Sequence, residues 1–125
     1  MKNEVVHQSH ITLEVGLDAN KVPEQLFWSA PDGGVERSET KAFLLSVWDH
    51  QTKESLRIDL WTKDMPVDEM KIFFHQTLLT MADTFYKATQ DEHMTETMRD
   101  FCAYFAEKLE LTKGLVIFFG RKTIC

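Results

Sequence analysis

Few residues in this chain have chemistry beyond packing, and they are scattered. The candidate metal ligands are five histidines (His7, His10, His50, His75 and His93) and two cysteines. A zinc or transition-metal site needs imidazole or thiolate donors converging from defined spacings. His7 and His10, three apart, would stand on opposite faces of a strand. His75 has no second histidine four residues away, and its spacing puts it on the exposed side of a helix. There is no C-x-x-C. The histidines therefore read as structural or solvated, and no metal or cofactor is expected.

Acid–base chemistry has one candidate neighbourhood. Asp49 and His50 adjoin a polar turn, and Arg57 and Asp59 lie on the segment that returns from it. Catalysis would need these groups together and partly buried in a cleft, with a nucleophile or substrate beside them. No nucleophile accompanies them, so a turn plus a solvated charge pair accounts for them more simply. Ser46 has no G-x-S-x-G setting, and Gly33-Gly34 lacks the Gly-Lys-Ser/Thr ending of a phosphate loop. No catalytic residue is assigned, and the chain reads as a non-enzyme.

The elements that position these groups follow from apolar periodicity. Ile11, Leu13, Val15 and Leu17 alternate as in a half-buried strand. Leu26–Ala30 reads as a short return strand, and Pro31-Asp-Gly-Gly34 as a tight break. The charged segment Val35–Lys41 reads as a loop or a single helical turn. Phe43–Trp48 and Leu56–Trp61 make an antiparallel hairpin around the polar turn Asp49–Glu54. At Pro66 the period changes from two to about 3.6. Val67, Met70, Phe74, Leu78, Met81 and Phe85 then form one helical seam, widened by Ile72 and Phe73. A second helix starts near Asp91, a good N-cap. It carries Met94, Met98, Phe101, Cys102, Phe105 and Leu109, and ends at Lys113-Gly114. The fold class is α+β: a mostly antiparallel sheet of about four strands, then two long amphipathic helices packed on one face. Residues 1–113 read as one domain and 114–125 as a C-terminal extension, either an edge strand or a frayed tail.

Composition bounds the partners. The chain has 125 residues, 43% of them hydrophobic and 27% charged, as a folded globular protein does. Its net charge of -6 disfavours nucleic acid and anionic membrane surfaces. The helical half from Asp64 to Lys113 carries ten Asp/Glu against five Lys/Arg, a solvated face or a site for a basic partner. No apolar run is long enough to span a bilayer, no signal peptide is expected, and two cysteines make no disulfide framework. A cytoplasmic location follows as the expectation.

One resemblance goes further than these bounds. SVWDHQTKESLRIDLWTKDMPVDEMKIFFHQTL, then MADTF and TMRDFCAYFAEKLEL, resembles the gliding-motility protein GldC family. LEVGLDANKVPEQLFWSAPDGG matches more weakly, and together the segments span roughly residues 10–111. The resemblance implies a small cytoplasmic accessory component of the gliding apparatus, without an established reaction, cofactor or catalytic residue. The chain departs from relatives in its ending, GLVIFFGRKTIC.

The second segment pair leaves a surplus of apolar surface. Phe43, Leu45 and Val47 point one way, Leu44 and Trp48 the other, and Trp61 shares a face with Arg57 and Asp59. Two helices can cover only one side of a sheet, and large uncovered apolar patches mark interfaces. Phe43, Leu45, Val47, Trp48, Arg57, Asp59 and Trp61 are the candidate interaction surface, with Trp48 or Trp61 as anchor. The expected partners are proteins of the gliding machinery or a second copy in a homo-oligomer. The rival is a small-molecule-binding or enzymatic α+β domain, which a deep pocket holding Arg57, Asp59 and His50 would support. A holdase-like chaperone is a third reading.

Overall fold

In a computed structural model, residues 3–111 are described; the extension 114–125 and the Lys113-Gly114 helix end lie outside them. The described chain forms two compact units that meet in sequence at Met65 and Pro66. Strands come first and helices second, so the fold is α+β, with five strands in two antiparallel sheets rather than about four in one.

The first sheet has the order β1 (Thr12–Leu17), β2 (Pro23–Ala30), β3 (Val35–Thr40). Asp18 closes the β1–β2 turn: its carboxylate accepts from the backbone N–H of Asn20 at 2.8 Å and Val22 at 3.0 Å. The Lys63 ammonium first of all, and then those backbone bonds, hold its pKa down to about 2. Between β2 and β3 the chain makes a 3-10 turn, Pro31–Gly33, ended by Gly34 at φ 80°. That left-handed conformation strains any residue with a Cβ.

β3 overturns the reading of Val35–Lys41 as a loop or helical turn. Its sequence VERSET is charged, but the backbone pairs with β2, Leu26 opposite Thr40 and Phe27 opposite Glu39. The side chains form cross-strand contacts instead of a core: the Arg37 guanidinium lies 4.0 Å above the Phe27 ring and 3.2 Å from the Glu14 carboxylate. Pairing geometry here outweighs a weak local propensity.

β4 (Ala42–Trp48) and β5 (Ser55–Trp61) form the second sheet, as the alternation predicts. Lys41 separates β3 from β4, and its carbonyl accepts from Thr62 N–H at 2.8 Å. Beyond β5, Lys63 pairs with Asp18 and with Glu24, each at 2.8 Å. One ammonium therefore ties the end of the second sheet to a turn and a strand of the first.

The second unit is a helical hairpin of α1 (Val67–Thr89) and α2 (Glu92–Lys108). Gln90, at φ 61°, ends α1, and Asp91 caps α2 by accepting from Met94 N–H at 2.9 Å. The buried residues of this helical hairpin are small or polar: His75 and Ala82 on α1, Thr95, Cys102 and Ala106 on α2. Phe74, Met81, Met94 and Phe101, placed on the seams by sequence, are exposed. Small side chains let two helices approach closely, so the buried line runs through Ala82, Cys102 and Ala106 while the larger groups flank it. α2 also ends at Lys108, earlier than the expected Lys113, with Glu110 left-handed at φ 57° just beyond.

Candidate functional site

The β4–β5 hairpin owes its geometry to its turn. Asp49 N–H donates to Glu54 carbonyl at 2.8 Å, and the Asp49 carboxylate accepts from Gln51 N–H, Thr52 N–H and Thr52 Oγ1 at 3.2, 2.7 and 2.8 Å. These bonds lower its pKa. All three bonds end on Oδ2, so that oxygen serves to fold the loop, a structural role that accounts for Asp49 without acid–base chemistry.

This turn sets a register that pairs Val47 with Leu56, Leu45 with Ile58 and Phe43 with Leu60. Partners in an antiparallel pair share a face. One face of the hairpin therefore consists of six apolar side chains, of which Leu45, Val47, Leu56 and Ile58 are exposed. The other face carries Ala42 opposite Trp61, Leu44 opposite Asp59, Ser46 opposite Arg57 and Trp48 opposite Ser55. The seven candidate residues thus separate. Phe43, Leu45 and Val47 lie on the apolar face; Trp48, Arg57, Asp59 and Trp61 lie on the mixed one. Trp48 and Trp61 sit at opposite ends of that face, roughly 20 Å apart at a strand's rise per residue. Their exposures are 65% and 54%, the values of side chains with a free ring surface. Arg57 and Asp59 make a loose pair between them at 3.4 Å.

Leu56, Ile58 and Leu60 complete the apolar face although sequence reasoning left them out of the candidate surface. The cross-strand register, once the turn is placed at Asp49–Glu54, is the signal that includes them.

Near Trp61 the surface dips into an open depression of about 330 Å³, lined by Val22, Pro23, Asp59, Leu60, Trp61 and Lys63. Arg57 and His50 are not among its walls, so it differs from the pocket that a catalytic reading required. Its far side comes from the β1–β2 turn, which no local pattern in the hairpin reveals.

The other chemical candidates lie apart from this hairpin. His7 Nε2 is 3.0 Å from Asp32, which also accepts from Ser9 Oγ; both bonds lower the Asp32 pKa. His75 was expected on an exposed helix face but is buried, stacked on Phe105 at 6.2 Å. Cys102 is buried, as its apolar stripe predicts, and burial pushes its thiol pKa up. Among the described residues, no three His, Cys, Asp or Glu side chains converge as metal ligands, and no helix is long and apolar enough to cross a membrane.

Strand-first α+β architecture and an exposed apolar β-hairpin define a small protein whose most distinctive surface is suited to contact rather than enclosure. The family model described as gliding motility-associated protein GldC-like matches residues 23–111, and the chain belongs to this family. The match runs from β2 through α2 and leaves β1 outside. It associates the chain with gliding motility. No curated protein and no solved structure matches the chain.

Proposed function

We propose that this chain serves gliding motility as a non-enzymatic interaction module, an adaptor or scaffold in the cytoplasm that binds a protein of the gliding machinery through the β4–β5 hairpin. The observation that carries the reading is the hairpin's wholly apolar face, with exposed tryptophans on its reverse. Four exposed aliphatic side chains present on the order of 350 Å² of apolar surface, a patch size that is often functional on a monomer. Burying it is worth roughly 9 kcal/mol at the usual area coefficient. Association itself costs about as much, so area alone gives little net affinity. The remainder must come from further contacts at the rim of this face, while the exposed tryptophans on the reverse face are the residues best suited to anchor a contact there. The cytoplasmic part of the proposal rests on the role that the family resemblance implies.

The test is crosslinking of the tagged chain inside a gliding bacterium. Gliding-machinery proteins are expected with the wild type and are expected to be lost in Ile58→Asp, which charges the apolar face, whereas loss in Trp48→Ala or Trp61→Ala instead would assign the contact to the reverse face. Recovery of the chain alone would overturn the adaptor reading in favour of a self-contained oligomer.

A further inference from the structure

Among the described residues β5 has one neighbour: it pairs with β4 and leaves its other edge unpaired. The depression near Trp61 lies along that edge. Asp59, Leu60 and Trp61 all line it, although successive strand residues point to opposite faces, and no residue of β4 does. An open strand edge is a template for another strand, and a two-stranded sheet is marginal by itself.

Hydrogen-bond parity fixes which groups this edge offers. Thr62 N–H donates to Lys41 carbonyl, and Asp49 N–H to Glu54 carbonyl, at the two ends of an unbroken β4–β5 register. Bonding residues alternate in an antiparallel ladder, so the even-numbered residues of β5 bond to β4. Ser55, Arg57, Asp59 and Trp61 therefore turn their N–H and C=O outward.

Those positions are self-complementary. Take a second β5, antiparallel and related by a two-fold axis through Ile58 perpendicular to the sheet. Arg57 then faces Asp59 of the second copy, and Asp59 faces its Arg57. Ser55 faces Trp61, Leu56 faces Leu60, and Ile58 faces itself. Every outward N–H and C=O gains a partner, and the apolar residues of both copies lie on one face. The neighbouring registers fail. An axis at Arg57 or at Asp59 sets like charges opposite one another. An axis between two residues pairs outward groups with inward ones and mixes apolar with polar side chains. Within one chain Arg57 and Asp59 make only a loose 3.4 Å pair with both side chains exposed, so each is accessible to a facing strand.

We propose that two copies of this chain join through β5, antiparallel about Ile58, into a four-stranded sheet. Area points the same way. The apolar face of one hairpin, on the order of 350 Å², is under half of the roughly 800 Å² per partner that a standard interface needs. Two copies side by side present about 700 Å² on one face. The dimer goes beyond the interaction-module reading: it enlarges that module's surface but does not depend on it.

The mass of the purified full chain in solution, by sedimentation equilibrium, tests the pairing, and a dimer is expected. Arg57→Asp sets carboxylates opposite one another at both charge pairs and should weaken the dimer about tenfold or more. The double variant Arg57→Asp/Asp59→Arg restores opposite charges in this register and should restore the dimer. Oxidation of Ile58→Cys, in a Cys125→Ser background, should give a disulfide-linked dimer, because Cα atoms of a facing non-hydrogen-bonded pair are about 4.5 Å apart. Leu60→Cys in the same background should not link, since its own counterpart lies about 13 Å further along the strand. A monomer at about 1 mM chain would overturn the proposal. So would an Arg57→Asp chain as dimeric as the wild type, a double variant that stays dissociated, or equal linking of Leu60→Cys. A monomer that still captures gliding-machinery proteins in the cell leaves the interaction module standing without the dimer. A dimer that captures none leaves the β5 pairing standing and removes the module.

Discussion

Between the helices, His75 Nδ1 is buried and has no hydrogen-bond partner among the described residues. Thr95, fully buried on α2, shows the contrast: its hydroxyl donates to Asp91 carbonyl at 2.7 Å. A buried polar atom without a partner costs about 1–3 kcal/mol. His75→Phe removes that atom and keeps a flat ring against Phe105, so the variant should be more stable by about 1 kcal/mol, within that range. Denaturant unfolding checks this through a higher midpoint with unchanged slope. A lower midpoint would mean that Nδ1 is satisfied in solution. The position was misjudged from sequence because helical spacing assigns a face by its large apolar residues, and here small residues form the contact line.

Helix starts and the β4–β5 turn were the most legible elements. Asp91 announced itself as an N-cap by residue type, and its carboxylate accepts the Met94 N–H. Asp91→Ala leaves that donor unsatisfied, and a loss of about 1 kcal/mol in unfolding free energy is expected. Asp91→Asn should retain most of the stability, because an amide oxygen also accepts; an equal loss in both variants would assign the effect to charge instead. β3 was the least legible element. VERSET contains no apolar alternation, and its strand conformation comes from β2, where Leu26 is fully buried and fixes the register. Tertiary pairing can place a charged edge strand where local preference proposes a loop.

At the scale of the molecule, the turns and ends of the first unit carry hydrogen-bonded carboxylates. Asp18, Asp32, Asp49 and Asp64 all have lowered pKa values through hydrogen bonds to the ionised form. Each binds protons less readily folded than unfolded, so each contributes stability above the unfolded value of 3.8 and loses it as pH falls through the folded value. For Asp18 that window extends from about 4 down to about 2. Melting temperatures should therefore be level near neutral pH and fall below about pH 4, and Asp18→Asn should flatten the acid limb. An unchanged limb in that variant would show that other carboxylates dominate acid unfolding.

The sequence by itself determined the fold class, the β4–β5 hairpin, both helices, the Asp91 cap and membership of a gliding-motility family. Each depends on residues close in sequence, where periodicity, turn chemistry and capping act directly on the backbone. Only the tertiary structure decided that Val35–Thr40 is a strand, that Trp48 and Trp61 share one face of the hairpin, and that His75 is buried. It also brought Lys63 to Asp18 and Glu24, and with them the walls of the depression beside Trp61. Those outcomes depend on register and on side chains distant along the chain, and long-range proximity leaves no local pattern to read.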